Sequence, residues 1–432
     1  NDPDPSMQSL EVEVPEKVQV SRWQKFSVWI RDPRVQQTLC FCGCFWLLGM
    51  AVAAPGPAIL ALAKNTSSSV GSTGYIFVAR SIGYLIGSAL GGPLFDKFNG
   101  NLLVSGGLIL TTVANMLIPM LSNLALLAIC NSFNGLAMGF LDTGGNVSIV
   151  WIWGSEVGPY MQSLHFSFGV GALIAPVLIG TSMTLNDGDP SWGFWIVALS
   201  AIPLSLWLLK FKKTNKPESS EGSKEVTYSF KEMAVVGLAA LYLLFDVGAE
   251  ISSSGYLTAF SVEEDLTGET AGAFMTSLFW GMFTFGRLLA IPTSIYVSSA
   301  TLLAGSLIGC FVTSVFWLIF IHSKVFIWIV VSCYGFFISV AFPTAITLTE
   351  CYVSLTGKLT SIAVVGASFG EMAIPFGVAV LLDKAGPNYL VWMLLLCSVA
   401  GFSCYVGILL VGKSLKSVKE ATQYQPVETQ SP

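Results

Sequence analysis

Six ionisable side chains lie inside long apolar stretches: Arg80, Asp142, His165, Asp246, Glu250 and Glu371. Arg287 and Glu350 sit nearer the ends of theirs. A charge at mid-membrane costs roughly 2.5–3.5 kcal/mol on insertion scales, so such groups face a bundle interior or an aqueous cavity. Asp142 and Asn146, within GFLDTGGNVSIVWIWG, are four residues apart and share a helix face, as do Gln162 and His165, three apart. The chain turns back on itself around Gly154 to Gly158, so matching depth predicts that these four side chains converge in the amino-terminal part of the molecule. Asp246 and Glu250 form a second i, i+4 pair, two acids that repel unless a proton or a cation intervenes. Glu371 lies midway along its own stretch.

Two chemistries fit this set. Hydroxyl-rich solutes need donors and acceptors such as Asn, Gln, His and carboxylates. They also need aromatic faces for the apolar sides of a ring, and Phe166, Phe168, Tyr256 and Trp280 are available. A carboxylate in a cavity can instead hold a sodium ion or carry a proton. One charge moving down 100 mV releases about 2.3 kcal/mol, enough for a roughly fifty-fold solute gradient. Structural readings stand beside these. Asp142 has an obvious partner in the intramembrane cation Arg80. His165 suits a hydrogen-bonded core position, Gln162 a bridge between helices, and Glu371 neutral packing if protonated. No metal-ligand spacing and no nucleophile paired with a base stands out, so an enzyme is not expected.

The elements that carry these residues follow from composition. Of 432 residues 53% are hydrophobic and only 11% charged, with a mean hydropathy of +0.70, whereas soluble domains carry roughly 25% charged residues. Apolar runs recur near 36–63, 71–94, 102–121, 124–150, 158–182 and 192–210. A second set follows near 233–256, 270–292, 298–321, 325–349, 359–382 and 387–411. Each suffices to cross about 30 Å of hydrocarbon as a helix, and none shows the alternation of barrel strands. The expected fold is an all-α membrane protein of about twelve transmembrane helices in two six-helix bundles. The expected organisation is a polar tail over 1–35, one bundle over 36–210, a linker over 211–231, a second bundle over 232–412 and a tail over 413–432. The first 35 residues have no apolar h-region, so no cleavable signal peptide is expected within them.

Basic residues orient the spans. Arg22, Lys25, Arg31 and Arg34 precede the first, Lys210, Lys212, Lys213, Lys216, Lys224 and Lys231 fill the central connection, and Lys413, Lys416 and Lys419 follow the last. Twelve spans put all of these on one face, expected to be cytoplasmic with both termini. Only Lys64, Lys324 and Lys384 remain opposite, beside Asn65-Thr66-Ser67, a glycosylation pattern at Asn65. Asn146-Val147-Ser148 matches too, but its depth excludes it. The net charge of −5 comes from acids in the tails and near Glu263, Glu264 and Asp265, and nothing points to nucleic acid. The nine cysteines read as small packing residues, with juxtamembrane palmitoylation the alternative for Cys40, Cys42 and Cys44. Tyr424-Gln425-Pro426-Val427 has the Tyr-x-x-apolar form of a sorting signal. Plasma membrane is the first expectation and an endosomal or lysosomal membrane the alternative.

The halves echo each other. Ser167-Phe168-Gly169 followed by Pro176 returns as Ser368-Phe369-Gly370 followed by Pro375, at nearly the offset that separates the two sets of spans. Repeated six-helix halves joined by a basic loop describe the major facilitator architecture, in which two bundles rock about a site between them. The connection Gly92-Pro93-Leu94-Phe95-Asp96-Lys97-Phe98-Asn99-Gly100 resembles that superfamily's Gly-x-x-x-Asp-Arg/Lys-x-Gly loop, with Asn99 in the second glycine's place. The resemblance makes Asp96 and Lys97 gating residues, a role also expected of Arg80 and Arg287.

Three strings are more particular: Ile76-Phe77-Val78-Ala79-Arg80-Ser81-Ile82-Gly83-Tyr84, Leu141-Asp142-Thr143-Gly144-Gly145-Asn146-Val147, and Met161-Gln162-Ser163-Leu164-His165-Phe166-Ser167-Phe168. They resemble the sodium-dependent glucose transporter 1 and major facilitator domain-containing protein 4 group, as does Ala290-Ile291-Pro292-Thr293-Ser294-Ile295-Tyr296. The likeness runs from about 45 to 410. It implies alternating-access transport of a hexose, glucose first, driven by sodium. Asp142, Asp246 and Glu250 would be ion-coupling, with a sodium position at Asp142. Asn146, Gln162, His165, Phe168, Asp246, Glu250, Tyr256 and Glu371 would meet the sugar. A more distant similarity to bacterial fucose permeases, which are proton-coupled and use an acid in span four, also gives Asp142 a coupling role. The other readings are proton-coupled or facilitative transport of another small polar solute, and a sensor that moves nothing. The expected partners are sugar, coupling cation and lipid, around a monomer with no cofactor beyond the ion.

Overall fold

The computed structural model describes residues 29–154, 157–211, 228–353 and 357–423. Arg22, Lys25, Lys212, Lys213, Lys216, Lys224 and the Tyr424 sorting string lie outside the described residues, as does the side chain of Asp96.

Fifteen helices carry the fold among the described residues: α1 (Pro33–Ala53), α2 (Ile59–Asn65), α3 (Val70–Thr73), α4 (Tyr75–Lys97), α5 (Gly100–Leu117), α6 (Leu124–Trp153), α7 (Val157–Leu185), α8 (Ser191–Leu208), α9 (Phe230–Glu263), α10 (Glu269–Tyr296), α11 (Ser299–Ile319), α12 (Phe326–Ile338), α13 (Ala341–Glu350), α14 (Gly357–Ala385) and α15 (Tyr389–Gln423). Eleven segments among the described residues are long and apolar enough to cross a membrane. The twelfth crossing is α4, whose 23 residues carry Arg80, Asp96 and Lys97 and lie along α6. Two of the apolar runs are interrupted. The first breaks after Ala53, where Pro55 and Pro57 remove backbone donors and α2 resumes at Ile59. The tenth breaks at Ser339 and Val340, between α12 and α13.

Polar side chains start the helices. Asp32 caps α1 through the Arg34 amide at 2.8 Å, and the neighbouring Arg34 side chain holds its carboxylate below the usual range. Asn123 accepts from the Ala125 and Leu126 amides to open α6, and Ser229 with Glu232 forms a capping box on α9.

Helices α1 to α8 form one bundle and α9 to α15 the other. Within the first, α4 lies along α6, α1 along α7, and α5 against α6 and α8. Within the second, α9 packs on α14 and α15, and α12 on α10 and α11. Close helix crossings recur between the two halves. A Cβ on Gly49 of α1 would overlap the Phe168 carbonyl of α7, and one on Gly248 of α9 would press on Ile374 and the Gly370 carbonyl of α14. Equivalent helix pairs thus cross closely at glycines about 200 residues apart, because dispersion and close backbone approach, rather than hydrophobicity, hold helices together in lipid. The bundles meet through α7 against α10 and α4 against α14, and the larger apolar cluster runs across that boundary through Phe279, Trp280 and Phe283.

Candidate functional site

The site is built first on the α4/α6 crossing. A Cβ on Gly83 would strike the Ser132 carbonyl and one on Gly135 the Arg80 carbonyl, so only bare backbone lets these helices approach. That approach places the Tyr84 hydroxyl 2.6 Å from Asp142 Oδ2 as a donor. From the same helix as Asp142, the Asn146 amide donates to Asp142 Oδ1 at 3.0 Å and to the Asp142 carbonyl at 3.0 Å. Both carboxylate oxygens are therefore engaged while the residue stays only partly buried.

One turn before Tyr84, Arg80 is 1% exposed. Its Nη2 donates to Glu371 Oε1 of α14 at 2.9 Å, and its Nη1 donates to the Val52 carbonyl at 3.0 Å. Val52 lies in the last turn of α1, whose carbonyls have lost intrahelical donors at the break. The pairing of Arg80 with Asp142 weighed from sequence is thus replaced by an ion pair between the bundles. Tyr84 and Asn146 satisfy Asp142, and α14 brings Glu371 to the guanidinium. Asp142 and Glu371 remain within electrostatic range of each other.

The convergence of Asp142 and Asn146 with Gln162 and His165 takes a different form from the one expected. Helix α7 packs chiefly on α1 and α10 rather than on α6. Phe45 of α1 stands between, with His165 edge-on to its ring at 5.7 Å and Gly145 of α6 against it. Among the described residues no hydrogen bond joins the two pairs. Gln162 is exposed. Phe168 meets Trp280 of α10 at 6.2 Å, nearly perpendicular, across the bundle boundary.

In the second bundle Glu250 is 8% exposed, and Asp246 lies one turn after Tyr242, whose hydroxyl faces its carboxylate. Arg287 is within electrostatic range of both carboxylates and of His165. Its Nε donates to the Ser339 carbonyl, freed by the α12/α13 break, at 3.3 Å, and its guanidinium lies 4.3 Å from the Phe283 ring centroid. Tyr256 is fully buried against Phe77, ring centroids 5.4 Å apart. Lys97 and Asn65 are exposed, and Asn65 Nδ2 donates to the Pro119 carbonyl at 3.4 Å.

Three participants were not singled out by spacing. Tyr84 follows Arg80 by four residues, which is the signal that could have found it. Asp383, at the end of α14, accepts from Ser69 Oγ and from the Gly71 amide, the latter at 2.8 Å, and so ties α3 of the first bundle to the second. Tyr242 lies one turn before Asp246 and turns its hydroxyl toward that carboxylate.

Two bundles of membrane-crossing helices, joined by the buried Arg80–Glu371 ion pair, define a multi-pass helical membrane protein. The chain belongs to the Major Facilitator Superfamily, which it matches over residues 41–375. It is 33% identical over 377 residues to the sodium-dependent glucose transporter 1 of Homo sapiens, covering 79% of this chain and 73% of that protein. It is 27% identical to the major facilitator superfamily domain-containing protein 4A of Danio rerio, covering 89% and 90%. Among solved structures, the partially occluded inward-open xylose transporter XylE from E. coli superposes with a TM-score of 0.68 over 86% of this chain and 96% of that one, at 11% identity. At that identity the likeness speaks for the fold alone.

Proposed function

We propose that the chain is a sodium-coupled hexose symporter, glucose first, working by alternating access. The observation that carries this reading is the Tyr84–Asp142–Asn146 cluster, a carboxylate held by neutral donors and bordering an ion pair that joins the bundles. Such a carboxylate can respond to a coupling cation without losing its position. Support for the substrate comes from the relative named as a sodium-dependent glucose transporter. In this account Asn146, Gln162 and His165 bond sugar hydroxyls, Phe168 offers a ring face, and Glu250 and Glu371 complete the cavity from the other side. Arg80 and Arg287 act as gating cations, and Asp96 and Lys97 brace the basic end. With the basic residues cytoplasmic, Asn65 faces the exterior for glycosylation. The bonds from Asp383 to α3 then close the outer end. The chain is assigned to the plasma membrane as a monomer.

The test is solute-induced thermal stabilisation of the purified protein. Glucose should raise the unfolding midpoint more in sodium than in choline. An equal effect in both salts removes the coupling, and no effect of any hexose removes the substrate.

A further inference from the structure

Thr38, Phe45 and Val52 follow one another at intervals of a heptad along α1, and so share one helix face. All three meet the paired helices α4 and α6. Thr38 Oγ1 accepts from Trp153 Nε1 of α6 at 2.8 Å, and the Val52 carbonyl accepts from Arg80 Nη1 of α4 at 3.0 Å. Between them the Phe45 ring, 1% exposed, lies so close on Gly145 of α6 that a Cβ there would overlap its Cε2. The same ring meets the His165 imidazole of α7, centroids 5.7 Å apart and planes at 88°. Elsewhere α1 is locked to α7, since Cβ atoms on Gly49 and Gly171 would strike the Phe168 and Trp46 carbonyls. Helices α1 and α7 are thus one packed unit, and Phe45 is a contact of that unit with α6 beside Asp142 and Asn146.

Gly145 directly precedes Asn146, whose amide donates to Asp142 Oδ1 at 3.0 Å. A cation drawn to Asp142 competes with that amide for the carboxylate lone pairs, so Asn146 and its turn of α6 must readjust. Gly145 has no side chain to absorb the shift. In a close-packed interior a displaced wall moves the ring seated on it, and the ring's other partner is His165.

We infer that Phe45 is a positioning residue: it sets the place of the His165 imidazole and passes the state of Asp142 to it, so that a cation on α6 raises sugar affinity on α7. The inference rests on the sodium-coupled reading above and names the contact through which its two sites communicate. In this account Phe45 itself touches neither ion nor sugar.

The test measures glucose binding to the full chain in lipid nanodiscs, in sodium chloride and in choline chloride at equal ionic strength, and takes the ratio of the two dissociation constants. Wild type is expected to bind about fivefold or more tightly in sodium. Phe45→Leu, which withdraws the ring from Gly145 and His165, should bring the ratio to about one, and should weaken binding in choline by no more than about tenfold, the value of a lost ring contact. Gly145→Ala drives a methyl into the ring and should also lower the ratio. Combined with Phe45→Leu, that methyl fills the space the ring vacates, and the ratio should rise above that of either single variant. Phe194→Leu, at a phenylalanine on α8 that is 0% exposed, should keep the wild-type ratio. A ratio unchanged by Phe45→Leu overturns the proposal, as does a double variant no better than the singles. An equal loss in Phe194→Leu also overturns it, because general core packing would then be the cause. If Phe45→Leu fails to fold, Gly145→Ala decides in the same way. Failure of the coupling reading is distinct: wild type itself then binds glucose equally in both salts, and the inference falls with it.

Discussion

Arg80 and Glu371 stand 291 positions apart in sequence and 2.9 Å apart in space, joining α4 of one bundle to α14 of the other. Helices that rock against one another must break or carry this bond. It lies beside Asp142, which Tyr84 and Asn146 hold independently. The ion pair and the Asp142 carboxylate are thus neighbours without being partners, so a change at one can be felt electrostatically at the other.

Removing one member of the pair should hurt more than removing both. Glu371→Gln leaves a fully buried guanidinium without its counter-ion, at a cost of about 3–5 kcal/mol. Arg80→Met with Glu371→Met should recover most of the lost stability while abolishing transport. Thermal unfolding of the singles and the double in one detergent reads the comparison, and an additive double would argue against a direct ion pair.

Tyr84→Phe removes one charge-directed hydrogen bond from Asp142 and leaves the ring in place. A loss of about 1.5–3 kcal/mol is expected at the carboxylate, seen as a roughly tenfold or greater rise in the sodium needed for half-maximal uptake. The fold should persist because the close approach of α4 and α6 depends on glycines, not on this hydroxyl.

Those glycines make the complementary prediction. Gly135→Val forces side-chain atoms into the Arg80 carbonyl and should prevent α4 from seating on α6. The expected result is a protein that cannot be recovered as a monodisperse species by size-exclusion chromatography. Gly106→Val, where a Cβ meets nothing within 4 Å, serves as the tolerated control.

The contact of Asp383 with Ser69 and Gly71 is the tie at the end opposite the basic residues. Asp383→Ala should loosen that end and raise the labelling rate of a cysteine placed at Ser72 by an impermeant thiol reagent in intact cells. The same substitution should leave α14 folded, since Asp383 is exposed at its terminus. Unchanged labelling would mean that the tie does not govern opening.

Much of the fold is legible in the sequence. Apolar runs give the spans. The repeated Ser-Phe-Gly strings point to two halves, yet their glycines do different things: a Cβ on Gly169 would meet Thr284 of the other bundle, one on Gly370 the Leu244 carbonyl of its own. Breaks in the runs are partly legible: Pro55 and Pro57 announce the end of α1, while nothing in the composition around Ser339 marks the α12/α13 break. Partner choice is the part that sequence hides. Depth and spacing brought Asp142 and Asn146 together, a relation within one helix. They could not reveal that α1 would insert Phe45 between α6 and α7, keeping His165 apart from Asn146. Nor could they reveal that Arg80 would reach across to α14. Those outcomes depend on which helices become neighbours, and consecutive spans need not be.

In the proposed function Asp142 is the carboxylate through which sodium drives sugar. Glucose accumulation in proteoliposomes under an inward sodium gradient, for wild type and for Asp142→Asn, measures that directly. Accumulation above equilibrium by wild type, with Asp142→Asn still binding glucose but only equilibrating it, is the result predicted. Accumulation driven by a proton gradient and not by sodium, or sodium-driven accumulation that survives Asp142→Asn, would contradict it.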